Sequence, residues 1–483
     1  MKSDMINIFL IFPNFRISGV LSFAVNLVKG INARSDKYKA KILIFPNEDI
    51  DKRYLTSFCG ADVKVLSVSN KDIGIDGLKN LFDYINSHDK AILFPSYCFN
   101  IQPILPFLHK GIKRIQVLHS DEEIYYENTL LFCGFYDHIV SVSSYIQNKL
   151  EKQEPSLKSK SSMIQYGVDI PKKYEHKFEQ KIKIVYFGRI VEEQKRVSRM
   201  LKIIFKLLER NIDFEWTFIG DGSEIEFLKQ KLHKEIDKGI VNFLGSMNVE
   251  EIQRYISSQD IYILTSDYEG TPLALMESMG CGCIPIVNSI KSGIPEMIEH
   301  EKTGFIVQNS LIDEYVQYIE KLYRDLELRK RMSKSCYVYA KKVFDTSVMT
   351  QNYINIFEQL NFDSEKKYKE FNLDLYNPII SLSNTQMLIP FLKCASKIAI
   401  FGWGMSGKRT YCYMQDKFPD KISVIIDDNK SGDFNGIPII TTKEFLCYWQ
   451  ENIDFVIFGA FQKVNQKLFD NLNIPYLRLL EVI

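Results

Sequence analysis

The sequence predicts an α/β protein built from parallel sheets with helices on both faces. Three observations predict it. Short apolar runs alternate with amphipathic stretches along most of the chain. Strands buried on both faces read as unbroken apolar runs, and covering helices carry one apolar stripe. Two stretches, YGVDIPKKYEHKFEQK (166–181) and NFDSEKKYKEFN (361–372), interrupt the alternation with charge and little apolar content, and read as linkers. The length, 483 residues, corresponds to about three domains at roughly 150 residues each.

The elements follow in order. The first series has strands at Ile6–Phe12, Ala40–Pro46, Val63–Val68, Ala91–Pro95, Arg114–Leu118 and His138–Ser141, with helical patterns such as Leu21–Ile31 and Gly77–Ser87 between them. The second has strands at 183–190, Phe214–Ile219, Ile240–Leu244, Ile261–Ser266, Cys283–Val287 and Gly304–Val307. Its helices include Arg196–Glu209, Glu224–Lys238 and Thr271–Met279, and a further helix spans about Ser347–Leu360. The third has strands KIAIFG (397–402), KISVIID (421–427), GIPII (436–440) and DFVIFG (454–459), with helices near 408–417 and 442–450. The expected boundaries are 1–172, 181–346 and 379–483, with 361–378 as the second linker.

Composition excludes several classes. Lys and Arg number 61 and Asp and Glu 60, a net charge of +1, which argues against a polybasic nucleic-acid binder or an acidic disordered tail. An aromatic content of 13% argues against long disorder. No apolar run approaches the roughly 18 residues of a membrane span. The start, MKSDMINIFLIFPNF, reads as a first buried strand rather than a signal peptide. Nine scattered Cys without C-x-x-C point to reduced thiols in a cytoplasmic protein, and seven isolated His argue against a protein-built metal site.

The most informative segment is TSDYEGTPLALMESMGCGCIPIV (265–287). A strand leads into a loop, Thr271 is placed to cap a helix with Pro272 at its first position, and Gly280 is placed to stop it. The helix N-terminus then leaves the carboxyl edge of the sheet, where unpaired N–H groups and a positive partial charge suit a phosphate. Glu269 and Glu277 form E-x7-E around that helix start. They suit a ligand rich in hydroxyls, and a surface Glu pair around an ordinary helix has the same spacing. In FGRIVEEQKRV (187–197), Arg189 and Lys195 follow a strand end. Two cations there suit a diphosphate, although solvated loop charges look the same. IGDGSE (219–224), with Gly220, is a weaker strand-to-turn signal. In the first series, SGV (18–20) enters a helix with Gly19 free of a Cβ, and VLHS (117–120) sets His119 at a strand end.

Taken in order, SGV, VLHS, YGVD (166–169), FGRIVEEQK and YEGTPLALMES, with IGDGSE and GIPEMI (293–298) in register, resemble the retaining GT-B glycosyltransferases of glycosyltransferase family four over about residues 5–360. One departure is Ser18-Gly19 where many members carry Gly-Gly. The resemblance implies a GT-B fold: two Rossmann-like domains facing a cleft, the helix 347–360 crossing back to the first, and a smaller Rossmann-like domain appended. It implies that Arg189 and Lys195 hold a nucleotide diphosphate, and that Glu269 contacts donor-sugar hydroxyls. Gly270, Thr271 and Leu273 would present backbone N–H groups, and Glu277 would bind the ribose. Gly19 would approach the diphosphate, with Gly220 also at the donor site, and His119 would lie near the donor sugar. The catalytic set expected is Glu269, His119, Arg189 and Lys195.

The implied reaction transfers a sugar with retention from a nucleotide diphosphate, UDP by default, to a glycan or lipid-linked acceptor in bacterial envelope polysaccharide assembly. Cations and helix dipoles would carry the leaving-group charge, so no cofactor or metal beyond the nucleotide-sugar co-substrate is expected. The competing readings are a sugar-nucleotide epimerase or phosphorylase, an NAD-dependent oxidoreductase, and a sugar-binding protein. A cytoplasmic location is expected, with Lys110, Lys113 and Arg114 read either as a solvated helix end or as a contact with the inner membrane. In the third series GWGMSG contains the Gly402, Gly404 and Gly407 fingerprint, and Asp427 lies 20 residues beyond. That spacing allows an accessory nucleotide site, and a docking module is the other reading.

Overall fold

The computed structural model describes residues 5–12, 18–44, 61–65, 75–95, 108–362, 396–401, 420–445 and 452–458. It also describes 476–478 and isolated positions at 98, 101–102, 104–105, 408, 411, 415 and 447. The first sheet contains β1 (Ile6–Phe12), β2 (Tyr38–Ile44), β3 (Val63–Val65), β4 (Ala91–Phe94), β5 (Ile112–Leu118), β6 (His138–Ser141) and β7 (Ser161–Met163). Its spatial order is β3-β2-β1-β4-β5-β6-β7, with all pairs parallel. Helices α1 (Gly19–Arg34), α2 (Ile75–Asn86), α3 (Glu123–Leu131) and α4 (Ser144–Gln153) connect them.

The second sheet contains β8 (Ile182–Phe187), β9 (Phe214–Ile219), β10 (Val241–Phe243), β11 (Ile261–Leu264), β12 (Ile284–Asn288) and β13 (Phe305–Val307), in the order β10-β9-β8-β11-β12-β13. Its helices are α5 (Glu192–Lys195), α6 (Val197–Glu209), α7 (Ile225–Lys231), α8 (His233–Asp237), α9 (Val249–Ile256), α10 (Leu273–Gly280), α11 (Ile294–Met297), α12 (Ile312–Arg324) and α13 (Leu326–Val343). The single helix expected over 224–238 is two short ones, broken at Leu232. In both sheets the winding reverses beside the first strand, between β1 and β4 and between β8 and β11. Such a switch point opens a crevice at the carboxyl ends of the strands.

Helix α14 (Thr346–Gln359) returns to the first sheet. Gly30 of α1 lets it come close: a Cβ there would lie 2.0 Å from the Thr350 hydroxyl. Lys37 and Tyr38 both bond Glu358 on α14, at 2.6 and 2.9 Å. The segment 166–181 runs between the first and second sheets, and its start is packed. Tyr166, Val168 and Ile170 are buried in alternation. Val168 pairs with the α13–α14 junction, donating to Phe344 at 2.8 Å and accepting from Thr346 at 3.0 Å.

A third sheet holds β14 (Ile398–Phe401), β15 (Ile422–Ile426), β16 (Gly432–Phe434), β17 (Ile437–Ile440), β18 (Phe455–Phe458) and β19 (Tyr476–Arg478), in the order β16-β17-β15-β14-β18-β19. It is parallel apart from the edge pair β16–β17. Gly402, Gly404 and Gly407 lie outside the described residues, as does most of the 361–378 linker. The Asp427 carboxylate accepts the Asn429 N–H at 2.9 Å and shapes the turn after β15. Among the described residues no helix is long and apolar enough to cross a membrane. Lys113 and Arg114 lie on β5 rather than at a helix end. Both are mostly buried and pair with Asp137, while Lys110 is exposed.

Candidate functional site

Two loops flank the switch point of the second sheet. One follows β8 and carries Arg189 and Lys195; the other follows β11 and carries Glu269, Gly270, Thr271 and Leu273. The β8 loop is fixed locally. The Tyr186 hydroxyl donates to the Arg189 carbonyl at 2.6 Å. Helix α5 ends at Arg196, whose φ of 51° is left-handed, a costly conformation for a residue with a Cβ. Asp267 compensates by accepting from Arg196 and Arg199, at 2.5 Å each. Glu192 caps α6 through the Ser198 N–H and hydroxyl, at 2.9 and 2.7 Å.

This geometry brings Lys195 and Glu269 together. The ammonium lies 2.6 Å from the carboxylate, and the two side chains are only 14% and 7% exposed. The Ser266 hydroxyl donates to the same oxygen at 2.6 Å. The resemblance gives Lys195 to the diphosphate and Glu269 to the sugar; the structure joins the two in one ion pair. Arg189 stays exposed and donates to Gln194 at 2.7 Å, while the Gln194 amide reaches the Tyr268 carbonyl at 3.1 Å.

Helix α10 begins one residue later than the sequence reading has it. Pro272 is its N-cap and no side chain caps it. The Thr271 hydroxyl instead donates across to the Val142 carbonyl of the first unit, at 3.4 Å. The first N–H groups of α10 have no intrahelical acceptor. At its other end the left-handed residue is Gly282 (φ 84°), while Gly280 makes room for Ile170. Gly220 has φ 132° and sits against the Gly188 carbonyl, so its lack of a Cβ is structural. Its N–H is already donated to Gly245 at 2.8 Å.

Glu277 is half-buried on α10, one turn in, and has no hydrogen-bond partner among the described residues. Burial, helped by the Asp169 carboxylate, pushes its carboxyl up to about 7. An acid that titrates at neutrality inside a crevice is what a ligand with hydroxyl donors would meet.

The first unit closes over these loops. Ser18 caps α1 by accepting the Leu21 N–H at 3.3 Å, which leaves Gly19 at the helix start. A Cβ on Gly19 would lie 3.6 Å from Leu273, so the starts of α1 and α10 meet across the crevice. Gly270 packs on the His119 carbonyl, where a Cβ would lie 3.1 Å away. Gly293 packs on Ser143, and the Glu296 carboxylate accepts the Ser144 and Tyr145 N–H groups of α4 at 2.9 and 3.1 Å. His119 is buried among Phe23, Tyr125 and Tyr166. Burial pushes it down to about 3, so the ring is neutral. Among the described residues no group of three or more His, Cys, Asp or Glu is placed to hold a metal ion.

Residues 169–338 match the family of glycosyl transferases group 1. The matched residues include the β8 and β11 loops, Lys195, Glu269 and Glu277. An amylovoran biosynthesis glycosyltransferase, AmsK, of Erwinia amylovora is 35% identical over 133 residues, 26% of this chain and 32% of that protein. Spore coat protein SA of Bacillus subtilis is 26% identical over 246 residues, 46% of this chain and 64% of its own. The chain thus spans between about a third and two thirds of these relatives. The crystal structure of Anabaena Alr3699/HepE in complex with UDP superposes with a TM-score of 0.60, covering 74% of this chain and all of that one at 15% identity. At that identity the likeness is one of fold: the parallel α/β architecture is that of GT-B glycosyltransferases, and a further small sheet is present.

Sequence reasoning missed Gln194, Asp267, Ser266 and Tyr166. Asp267 and Ser266 adjoin Glu269 in the one segment already singled out, so proximity to it was their signal. Gln194 had none, because its role depends on two loops 74 residues apart meeting.

Proposed function

We propose that the protein is a retaining glycosyltransferase acting on a nucleotide diphosphate sugar, with UDP the expected nucleotide. The acceptor is a glycan or a lipid-linked glycan, and the setting is bacterial cell-envelope polysaccharide assembly on the cytoplasmic side. The observation that carries this reading is the Lys195–Glu269 pair at the switch point, beside the uncapped start of α10 and opposite Gly19. The UDP named for HepE and the amylovoran biosynthesis named for AmsK support the choice of donor and setting.

Breaking the bond between the anomeric carbon and the diphosphate oxygen leaves an oxocarbenium-like sugar and moves negative charge onto phosphate. Arg189 is exposed and ready for the diphosphate. Lys195 is shared between that anion and Glu269, and the α10 N–H groups add donors that need no reorganisation. Glu269, held by Lys195 and Ser266, accepts hydrogen bonds from sugar hydroxyls, and Glu277 accepts from the ribose. The acceptor hydroxyl attacks on the face that the diphosphate leaves and passes its proton to the departing diphosphate oxygen. The nucleotide sugar is the co-substrate, with no further cofactor.

The test compares wild type with Lys195→Ala. A thermal-shift panel of nucleoside diphosphates and their sugars should raise the melting temperature of the wild type. The variant should lose most of that shift and transfer at least about tenfold more slowly, within the roughly 3–4 kcal/mol that one such donor provides. Near-normal turnover in a folded variant would remove the diphosphate role.

A further inference from the structure

Tyr166 lies in the buried segment between the two GT-B units. Its ring is 3% exposed and stacks on Phe23 with centroids 4.9 Å apart. Its hydroxyl is 2.6 Å from Nδ1 of His119, and neither side chain has another hydrogen-bond partner among the described residues. Among the described residues His119 Nε2 is buried with no partner, and so is the adjacent Ser120 hydroxyl. Both residues lie just past the end of β5, under Gly270 of the other unit.

Counting protons decides which way this bond runs. Burial holds the Tyr166 hydroxyl well above its ordinary value and His119 well below, so both groups are neutral. A neutral imidazole carries one N–H and one bare nitrogen. If Nδ1 carried the proton and donated to Tyr166, the tyrosine O–H would be buried with no acceptor and Nε2 would be a bare, unpaired acceptor: two orphans. If Tyr166 donates to Nδ1, only the Nε2–H remains. Each buried orphan costs about 1–3 kcal/mol, so the second arrangement prevails.

We infer that Tyr166 is a positioning residue that fixes His119 as the Nε2–H tautomer, making it a hydrogen-bond donor aimed at an oxygen of the bound sugar. In this form His119 cannot take a proton from the acceptor hydroxyl through Nε2. The orphaned Nε2–H needs a lone pair, which a sugar hydroxyl or ring oxygen supplies. The tautomer stands on the hydrogen-bond geometry together with the burial that keeps both groups neutral, whereas the sugar as its recipient rests on the proposed function.

The experiment is long-range proton–nitrogen correlation NMR on the full chain with 15N-histidine, with His119→Phe assigning the signal. The wild type should show His119 as a single Nε2–H tautomer from pH 5 to pH 8, with Nδ1 accepting a hydrogen bond. Tyr166→Phe keeps the ring and should show the Nδ1 signature of a bare nitrogen or a mixture of tautomers. Its kcat should fall about tenfold, the worth of one lost hydrogen-bond orientation, with a smaller change in donor KM. A wild-type proton on Nδ1 would overturn the inference whether or not the variant folds. So would a folded Tyr166→Phe with unchanged spectrum and kcat. If no nucleotide sugar is turned over while the wild type shows Nε2–H, the glycosyltransferase reading falls and the tautomer assignment stands.

Discussion

Glu277 gives the sharpest quantitative expectation. Its carboxyl is pushed up to about 7 from an ordinary 4.5, first by burial and then by Asp169. A raised acid binds its proton more tightly folded than unfolded. Its contribution is therefore complete below pH 4.5 and is lost as pH rises through 7. The difference of about 2.5 in pKa, at 1.36 kcal/mol per unit, is roughly 3 kcal/mol. Glu277→Gln keeps the shape and removes the titration, so the variant should gain on the wild type by about that amount between pH 4.5 and pH 8. For a unit of 150–250 residues, 1 kcal/mol moves the melting temperature by about 2–4 °C, so the gap should drift by about 6–12 °C. Calorimetry of both full chains at pH 5, 6, 7 and 8 measures it, because groups common to both cancel in the difference. A gap that stays constant across that range would refute the reasoning. A ribose hydroxyl donating to the charged form should also make nucleotide binding tighter in the wild type than in the variant at pH 8.

Two further expectations concern the contacts that hold the units together. Glu296→Ala removes two charge-assisted bonds to the α4 start, worth about 1.5–3 kcal/mol each. It should therefore open the crevice on average: the radius of gyration from X-ray scattering should rise and donor KM should increase, whereas identical scattering and KM would show that the contact does not hold the units closed. Gly30→Ala would ordinarily favour a helix by about 1 kcal/mol. Here the new methyl meets the Thr350 hydroxyl, so the melting temperature should fall, and adding Thr350→Ala should recover part of it. A stabilising Gly30→Ala would mean that α14 does not pack on α1 as described.

Much of the fold was legible because parallel strands leave a local mark. INIFLIF and IKIVYF are apolar without alternation, and the structure buries them on both faces. Where the reading failed, the deciding contact was distant in sequence. Lys113 and Arg114 look like free charges until Asp137 arrives from the neighbouring strand. Residues 166–181 run between the two sheets, and the charge in their composition hides how tightly the start of the segment packs. Yet Tyr166, Val168 and Ile170 keep the period of a buried strand, and that alternation was there to be read.

The site divides the same way. A strand end followed by a small or polar residue is a local pattern, and it is what singled out Gly19, His119, Arg189, Lys195 and Glu269 as candidates. What one sequence cannot show is which of these charges neutralise one another. Lys195 and Glu269 are 74 residues apart and their loops meet only because β8 and β11 are neighbours at the switch point. That adjacency changes the electrostatic argument. A lone lysine would attract any anion, but one already paired with a nearly buried carboxylate gains little net charge from a monoanion. It favours a ligand that brings negative charge for the lysine and hydroxyl donors for the glutamate together, and this combined demand is met by a sugar joined to a diphosphate.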